Sequence, residues 1–188
     1  MDDLIARLAA VLRVNGERWQ ALATGLDREL LARRPEPGEW SALECLGHTV
    51  DTEEAIFTWR IRGFLTGVET LPNYDPDVQG TPVTDATDPI ELARQLARRR
   101  SANVELVGTL SEMDLERRSR HSELGPVTLR EFLNEFWAHD TMHLVQAERA
   151  LMQGGGVTIV RRHSIDTRNI LMITTVLLPR RGFGLPVI

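Results

Sequence analysis

His139 and His143 stand four residues apart in a segment with helical periodicity, which places their imidazoles one turn apart on the same face. At that spacing two ring nitrogens can share one metal ion. Gln146, three residues further on, joins the same face. His48, in a separate segment, could supply a third nitrogen. A three-histidine set leaves coordination positions open for water or substrate, as a catalytic metal requires. Taken alone, two histidines at this spacing are equally what a surface or a core produces by chance. Cys45, three residues before His48, could also reach a metal, but reads better as a small buried hydrophobe. His121 and His163 have no spacing argument.

Four long segments must position these residues, and each reads as a helix. The first spans about Asp3 to Thr24, with Leu4, Leu8, Val11, Leu12, Trp19 and Leu22 on one stripe. The second opens at Ser41, where Ser41 and Glu44 form a capping box, and continues to about Gly63. The third opens at Asp88, with Pro89 at its first position and Glu91 placed to close another box, and runs to about Leu110. The fourth opens at Thr128, with Glu131 as its reciprocal partner and Val127 and Phe132 as a hydrophobic staple. It ends near Met152, ahead of Gly154, Gly155 and Gly156. A turn-rich stretch, Arg34 to Gly38, joins the first two helices. The connection from Phe64 to Thr87 is long enough to run the length of a bundle, and loops of that length commonly carry function. The pattern predicts an all-α fold, a four-helix bundle with one long crossover, over residues 1–156.

Wheel positions refine the candidates. On the fourth helix Leu129, Phe132, Leu133, Phe136, Ala147, Ala150 and Leu151 make the apolar arc, and His139 and His143 lie on its shoulder, where a cleft opens. On the second helix the arc is Leu43, Leu46, Val50, Phe57 and Ile61, with His48 nearly opposite beside Ala55 and Trp59. A core-filling histidine does not belong there, so His48 is either a ligand or an exposed residue. Polar residues interrupt the apolar stripes: Asn15 on helix one, Arg99 and Asn103 on helix three, Asp140 on helix four. A buried charge needs a partner, and Asp140 is expected to meet Arg99 or a neighbouring polar group inside the bundle. Asn15 is expected to stay wet.

Composition excludes several classes. All 22 basic residues are arginine, so any mechanism needing a lysine amine is ruled out: Schiff base, pyridoxal phosphate, P-loop. A single cysteine rules out an intrachain disulfide framework. A net charge of −5 argues against nucleic acid as a partner. No apolar run is long enough to span a bilayer, and the N-terminus lacks the basic start of a signal peptide. A cytoplasmic protein with no membrane partner is expected. Residues 157–188 form an atypical C-terminal tail: 161–188 carry five Arg against one Asp, and Ile170 to Leu178 is a β-branched apolar run. Nothing else in the chain reads as a strand to pair with it, so the tail is expected either to pack on the bundle or on a second copy, as a homodimer, or to be disordered.

Two metal motifs fit poorly. His139-Asp-Thr-Met-His143 resembles the zincin motif but has Asp140 where the general-base glutamate belongs, with a shorter reach. Di-iron bundles need Glu-x-x-His on two helices, and neither helix has it. A larger pattern fits better. Gly38-Glu-Trp-Ser-Ala-Leu-Glu-Cys-Leu-Gly-His48, followed by Gly125-Pro-Val-Thr-Leu through His139-Asp-Thr-Met-His143-Leu-Val-Gln146, resembles the DinB superfamily, the DinB/YfiT-like metalloenzymes, over roughly residues 1–152. The resemblance implies a four-helix bundle with up-down-down-up topology. It also implies a divalent metal, zinc or nickel most often, held by three histidines that map onto His48, His139 and His143.

Members of that family include thiol-dependent enzymes such as mycothiol and bacillithiol S-transferases. The expected function is therefore a metal-dependent thiol S-transferase or related detoxification enzyme, with a small thiol and an electrophile as its partners. Gln146, Asp140, Arg99, Asn103 and Tyr74 are candidates for the shell or pocket around the metal, and Asp75 neighbours Tyr74 on the long loop. The alternatives are a hydrolase that activates water at the metal, and a non-enzymatic dimeric metal-binding bundle.

Overall fold

The computed structural model describes residues 3–121 and 125–154. Its elements, in chain order, are α1 (Asp3–Gly25), α2 (Arg28–Leu31), α3 (Ala42–Thr52), a π-helical turn (Glu53–Thr58), α4 (Trp59–Thr66), β1 (Thr70–Leu71), α5 (Pro76–Gln79), α6 (Pro89–Gly108), α7 (Glu112–Leu115), β2 (Arg118–His121), β3 (Gly125–Thr128) and α8 (Leu129–Gly154). The tail and the boundary expected at residue 156 lie outside the described residues.

Two apolar layers fix the helix directions. One contains Ile5, Leu8 and Leu12 of α1, Ile61 and Phe64 of α4, Val107 of α6, and Phe132 and Phe136 of α8. The other contains Trp19 and Ala23 of α1, Leu43 and Leu46 of α3, Ala93 and Leu96 of α6, and Leu144 and Ala147 of α8. Thus α1 and α8 run from the first layer to the second, while α3–α4 and α6 run the other way. This is the up-down-down-up bundle, and the long connection between α4 and α6 lets two consecutive helices run parallel.

The caps fold largely as the sequence indicates. Ser41 Oγ accepts from the Glu44 amide at 3.2 Å, and Glu44 accepts from the Ser41 amide at 2.8 Å. Thr128 and Glu131 make the same exchange at 3.1 and 2.7 Å. Asp88 differs: it caps through the Ile90 amide, while Glu91 turns outward to Arg98 instead of closing a box. An outward arginine offers that glutamate a charged partner in place of a backbone amide. Because Ser41 opens the helix that carries His48, Ser41→Ala is expected to lower stability by about 1 kcal/mol in urea unfolding.

The second helix runs three residues past the expected Gly63 and contains the π-helical turn, a feature that recurs at functional sites. The structure adds a small three-stranded sheet that the sequence pattern does not signal. β2 pairs parallel to β1 and antiparallel to β3. The inward-facing residues of β2 are Ser119 and His121, so the strand lacks the apolar alternation by which sequence reveals strands.

Asp140 lies in a buried polar cluster, but its cationic partner is Arg100. The Arg100 guanidinium donates to Asp140 Oδ1, to Glu53 Oε1 at 2.7 Å and to the Leu12 carbonyl at 3.2 Å. Asn15, expected to be wet, is buried and donates to Asp140 Oδ2 at 2.7 Å. Asn103 donates to Glu53 Oε2 at 2.6 Å. The inward stripe of α6 is Ala93, Leu96, Arg100, Asn103 and Val107, and one residue of helix is about 100° of rotation. Arg99 therefore turns aside to the Val50 carbonyl at 2.8 Å and to Glu54 at 2.6 Å.

Candidate metal centre

Two helices from opposite sides of the crossover deliver the three imidazoles. The box at Ser41 starts α3, and His48 lies two turns along it; His139 and His143 face it from α8. His139 Nε2 lies 3.3 Å from His48 Nε2 and 3.1 Å from His143 Nε2. The three donor nitrogens lie within 4.8 Å of one another, and Cys45 is not part of the group. Cys45 is wholly buried in the second apolar layer, and burial pushes its thiol well above the ordinary range.

His48 is buried despite lying opposite the main apolar arc of its helix. The cover comes from outside that helix. The Trp40 ring lies 5.0 Å from His48 and stacks on His143 at 5.6 Å, and the Tyr74 ring closes from the crossover at 6.3 Å. Trp59, on the same side of the wheel as His48, stays 44% exposed. Tyr74, on a loop that could have left it at the surface, is buried.

Burial holds all three imidazoles neutral. It pulls His48 down to about 3, with His143 adding to the effect, and His143 down to about 4. His139 is held well below the ordinary range by burial, by the two neighbouring histidines and by Arg60. His143 Nδ1 donates to Gln146 Oε1 at 3.0 Å, which fixes the tautomer and leaves the Nε2 lone pair facing the other two rings. A cation between the three rings would be met by all three Nε2 lone pairs at once. Ligands about 2.0–2.1 Å from a tetrahedral zinc sit about 3.3–3.4 Å apart, and the two closest separations here are 3.1 and 3.3 Å. The donor set and its spacing fit a divalent ion of that kind.

Of the other sequence candidates, Gln146 touches the triad directly and Tyr74 walls it. Asp140 and Asn103 belong to the buried polar cluster around Arg100, and Arg99 lies at the edge of the bundle. Asp75 caps the short α5 through the Asp77 amide. Two residues of the site carried no signal of their own. Trp40 stands just before the Ser41 cap, where it could have been read as a staple, and Arg60 falls about 120° from His48 on a regular wheel, a phase that the intervening π-helical turn changes.

A family model described as the DinB superfamily matches residues 12–147. No curated protein sequence matches the chain. Among solved structures, YfiT from Bacillus subtilis superposes with a TM-score of 0.68 at 18% sequence identity, covering 83% of this chain and 90% of that one. YfiT is described as a probable metal-dependent hydrolase with an unusual four-helix bundle topology.

Proposed function

Since the chain belongs to the DinB superfamily, we propose that it is a metal-dependent enzyme in which His48, His139 and His143 hold a divalent ion, zinc or nickel, and that it transfers a small thiol to an electrophile. The observation that carries this reading is the meeting of three neutral imidazole nitrogens at ligand spacing in a covered site. Bound there, the ion supplies the positive charge at which a thiol is held as thiolate near neutral pH.

The groups acting on the imidazoles are one another, Arg60 and Gln146. A divalent ion lowers the pKa of a bound thiol and of a bound water alike, and the thiol reading follows the thiol-dependent members of the family. Trp40 and Tyr74 limit access by water, and Gln146 holds His143 in its ligating tautomer. Gln146→Ala is expected to weaken zinc binding about 10- to 100-fold, read by competition with a chromogenic chelator; unchanged affinity would remove Gln146 from the site.

The hydrolase reading has support in the description of YfiT. The two separate cleanly when zinc-loaded protein is given monochlorobimane with and without a small thiol such as cysteine. Consumption of thiol with formation of the bimane conjugate, at a rate that falls with metal removal, is the expected outcome. Turnover of ester or amide substrates without thiol, and none with it, would overturn transfer in favour of hydrolysis. Among the described residues no helix is long and apolar enough to cross a membrane.

A further inference from the structure

The crossover loop is tied to the bundle on both sides of a short bridge. Ahead of the bridge, Leu71 is buried and pairs in the sheet through β1, and Arg60 Nη2 donates to the Pro72 carbonyl at 2.8 Å. After it, Asp51 accepts from the amide and the hydroxyl of Thr81 at 2.6 and 2.9 Å. Arg28 donates to the Thr84 and Thr87 carbonyls at 2.7 and 3.1 Å. At Gly47, beside His48, a side chain would meet Val83 Cγ2 at 3.2 Å, so the loop lies directly on the helix there.

Between these ties, from Tyr74 to Gly80, the bridge is bonded to itself. The Asp75 amide donates to Gln79 Oε1 at 2.8 Å and the Asp77 amide to Asp75 Oδ1 at 2.9 Å. The Gln79 and Gly80 amides donate to the Asp75 and Pro76 carbonyls at 2.8 and 3.0 Å. α5 buries none of its residues. Tyr74 is the one buried residue of the bridge.

Tyr74 borders both the triad and an open space. Its ring lies 6.3 Å from that of His48. It also walls a cavity of about 320 Å³, lined on the helix side by Ala55, Ile56 and Trp59, with the exposed indole of Trp59 at its rim. That is more room than a phenol ring fills. The Tyr74 hydroxyl makes no hydrogen bond among the described residues. Burial, then the charges of Asp51 and Asp75, push the phenol up to about 12, so it keeps its proton. Asp51 is engaged by Thr81 and Asp75 by the Asp77 amide. A buried hydroxyl is normally paired, so the position over His48 carries a cost that a turn toward water relieves.

We propose that Tyr74 is a gate on the metal site: with the bridge held at Pro72 and Thr81, its ring turns between a closed position over His48 and an open position in the adjoining cavity, and the ion and the thiol reach the triad past the open gate. The proposal deepens the metal-site reading and rests on it. A gate that does not ligate the ion scales capture and release by the same fraction of time open, so it sets both rates and leaves the affinity alone.

The test measures zinc capture by the full-length, metal-free chain and zinc release from the loaded chain to a chromogenic chelator, both by stopped flow. With an open state populated at about 10% or less, Tyr74→Gly should raise both rates about tenfold or more and leave Kd within about twofold. Ala55→Phe, which fills the open position, should slow both. In the metal-free chain, acylation of His48 by diethyl pyrocarbonate, read by mass spectrometry, should follow the same order: Tyr74→Gly fastest, Ala55→Phe slowest. Rates unchanged by Tyr74→Gly, or by Ala55→Phe, overturn the proposal. So does faster release without faster capture in Tyr74→Gly, which makes Tyr74 a wall that steadies the ligands. A chain that takes up no zinc but shows the expected order of His48 acylation would defeat the metal reading and leave the gate standing.

Discussion

Arg100→Met is expected to cost about 3–5 kcal/mol of folding stability, the largest single loss among the substitutions considered. Arg100 is 3% exposed and is the cation between two buried carboxylates, Glu53 and Asp140, with Asn15 and Asn103 filling the remaining acceptor positions. Removing it leaves two acids facing each other without compensation, each disfavouring ionisation of the other. Asp140→Leu is the milder change, since it leaves the Arg100–Glu53 pair intact. The pH dependence has a defined sign. Burial already pushes the Glu53 carboxyl up in the parent protein, and loss of the arginine, whose charge opposes that shift, raises it further. A group whose folded pKa lies above its unfolded value binds extra protons when folded, so its stabilising share is present at low pH and is lost as pH rises through the folded pKa. The difference in stability between Arg100→Met and the parent should therefore shrink as pH falls from 7 toward 5. Urea unfolding across that range measures it, and a deficit that grows on acidification would contradict the two-carboxylate account.

His139→Ala is expected to abolish the effect of metal on the protein. His139 is the ring common to both close Nε2 contacts, so its loss leaves His48 and His143 as two ligands without the third. Zinc affinity should fall by several kcal/mol. A ligand that binds the folded state raises stability by about 2.7 kcal/mol at a hundred times its Kd. Zinc should therefore raise the melting temperature of the parent and leave that of His139→Ala unmoved. Thiol transfer should disappear in the same variant. An equal zinc-induced shift in both proteins would mean that the ion binds elsewhere.

The four helices were legible because three open on an explicit cap, at Ser41, Asp88 and Thr128, and the first carries a long apolar stripe of the right period. The histidines were legible as a group because His139 and His143 share a face and a separate helix offers His48. What escaped the sequence has three physical causes. Wheel reasoning without a reference phase is uncertain by one residue, so the sequence points to Arg99 where the inward arginine is Arg100. A wheel drawn for one helix knows nothing of what packs on it, so the burial of His48 under Trp40 and Tyr74 was invisible, as was the burial of Asn15 against Asp140. A strand whose inward residues are Ser119 and His121 has no apolar signature, and its pairing with β1 and β3 depends on chain neighbours brought together by the bundle. The π-helical turn adds a residue within a helix that otherwise reads as continuous, and that shift brings Arg60 into the cavity wall beside the site.

Zinc-edge X-ray absorption on the zinc-loaded, full-length chain tests the central claim most directly. One ion per chain with three imidazole nitrogens at about 2.0–2.1 Å is the result expected. A stoichiometry near zero, or a spectrum with fewer than three imidazoles around the ion, would contradict it.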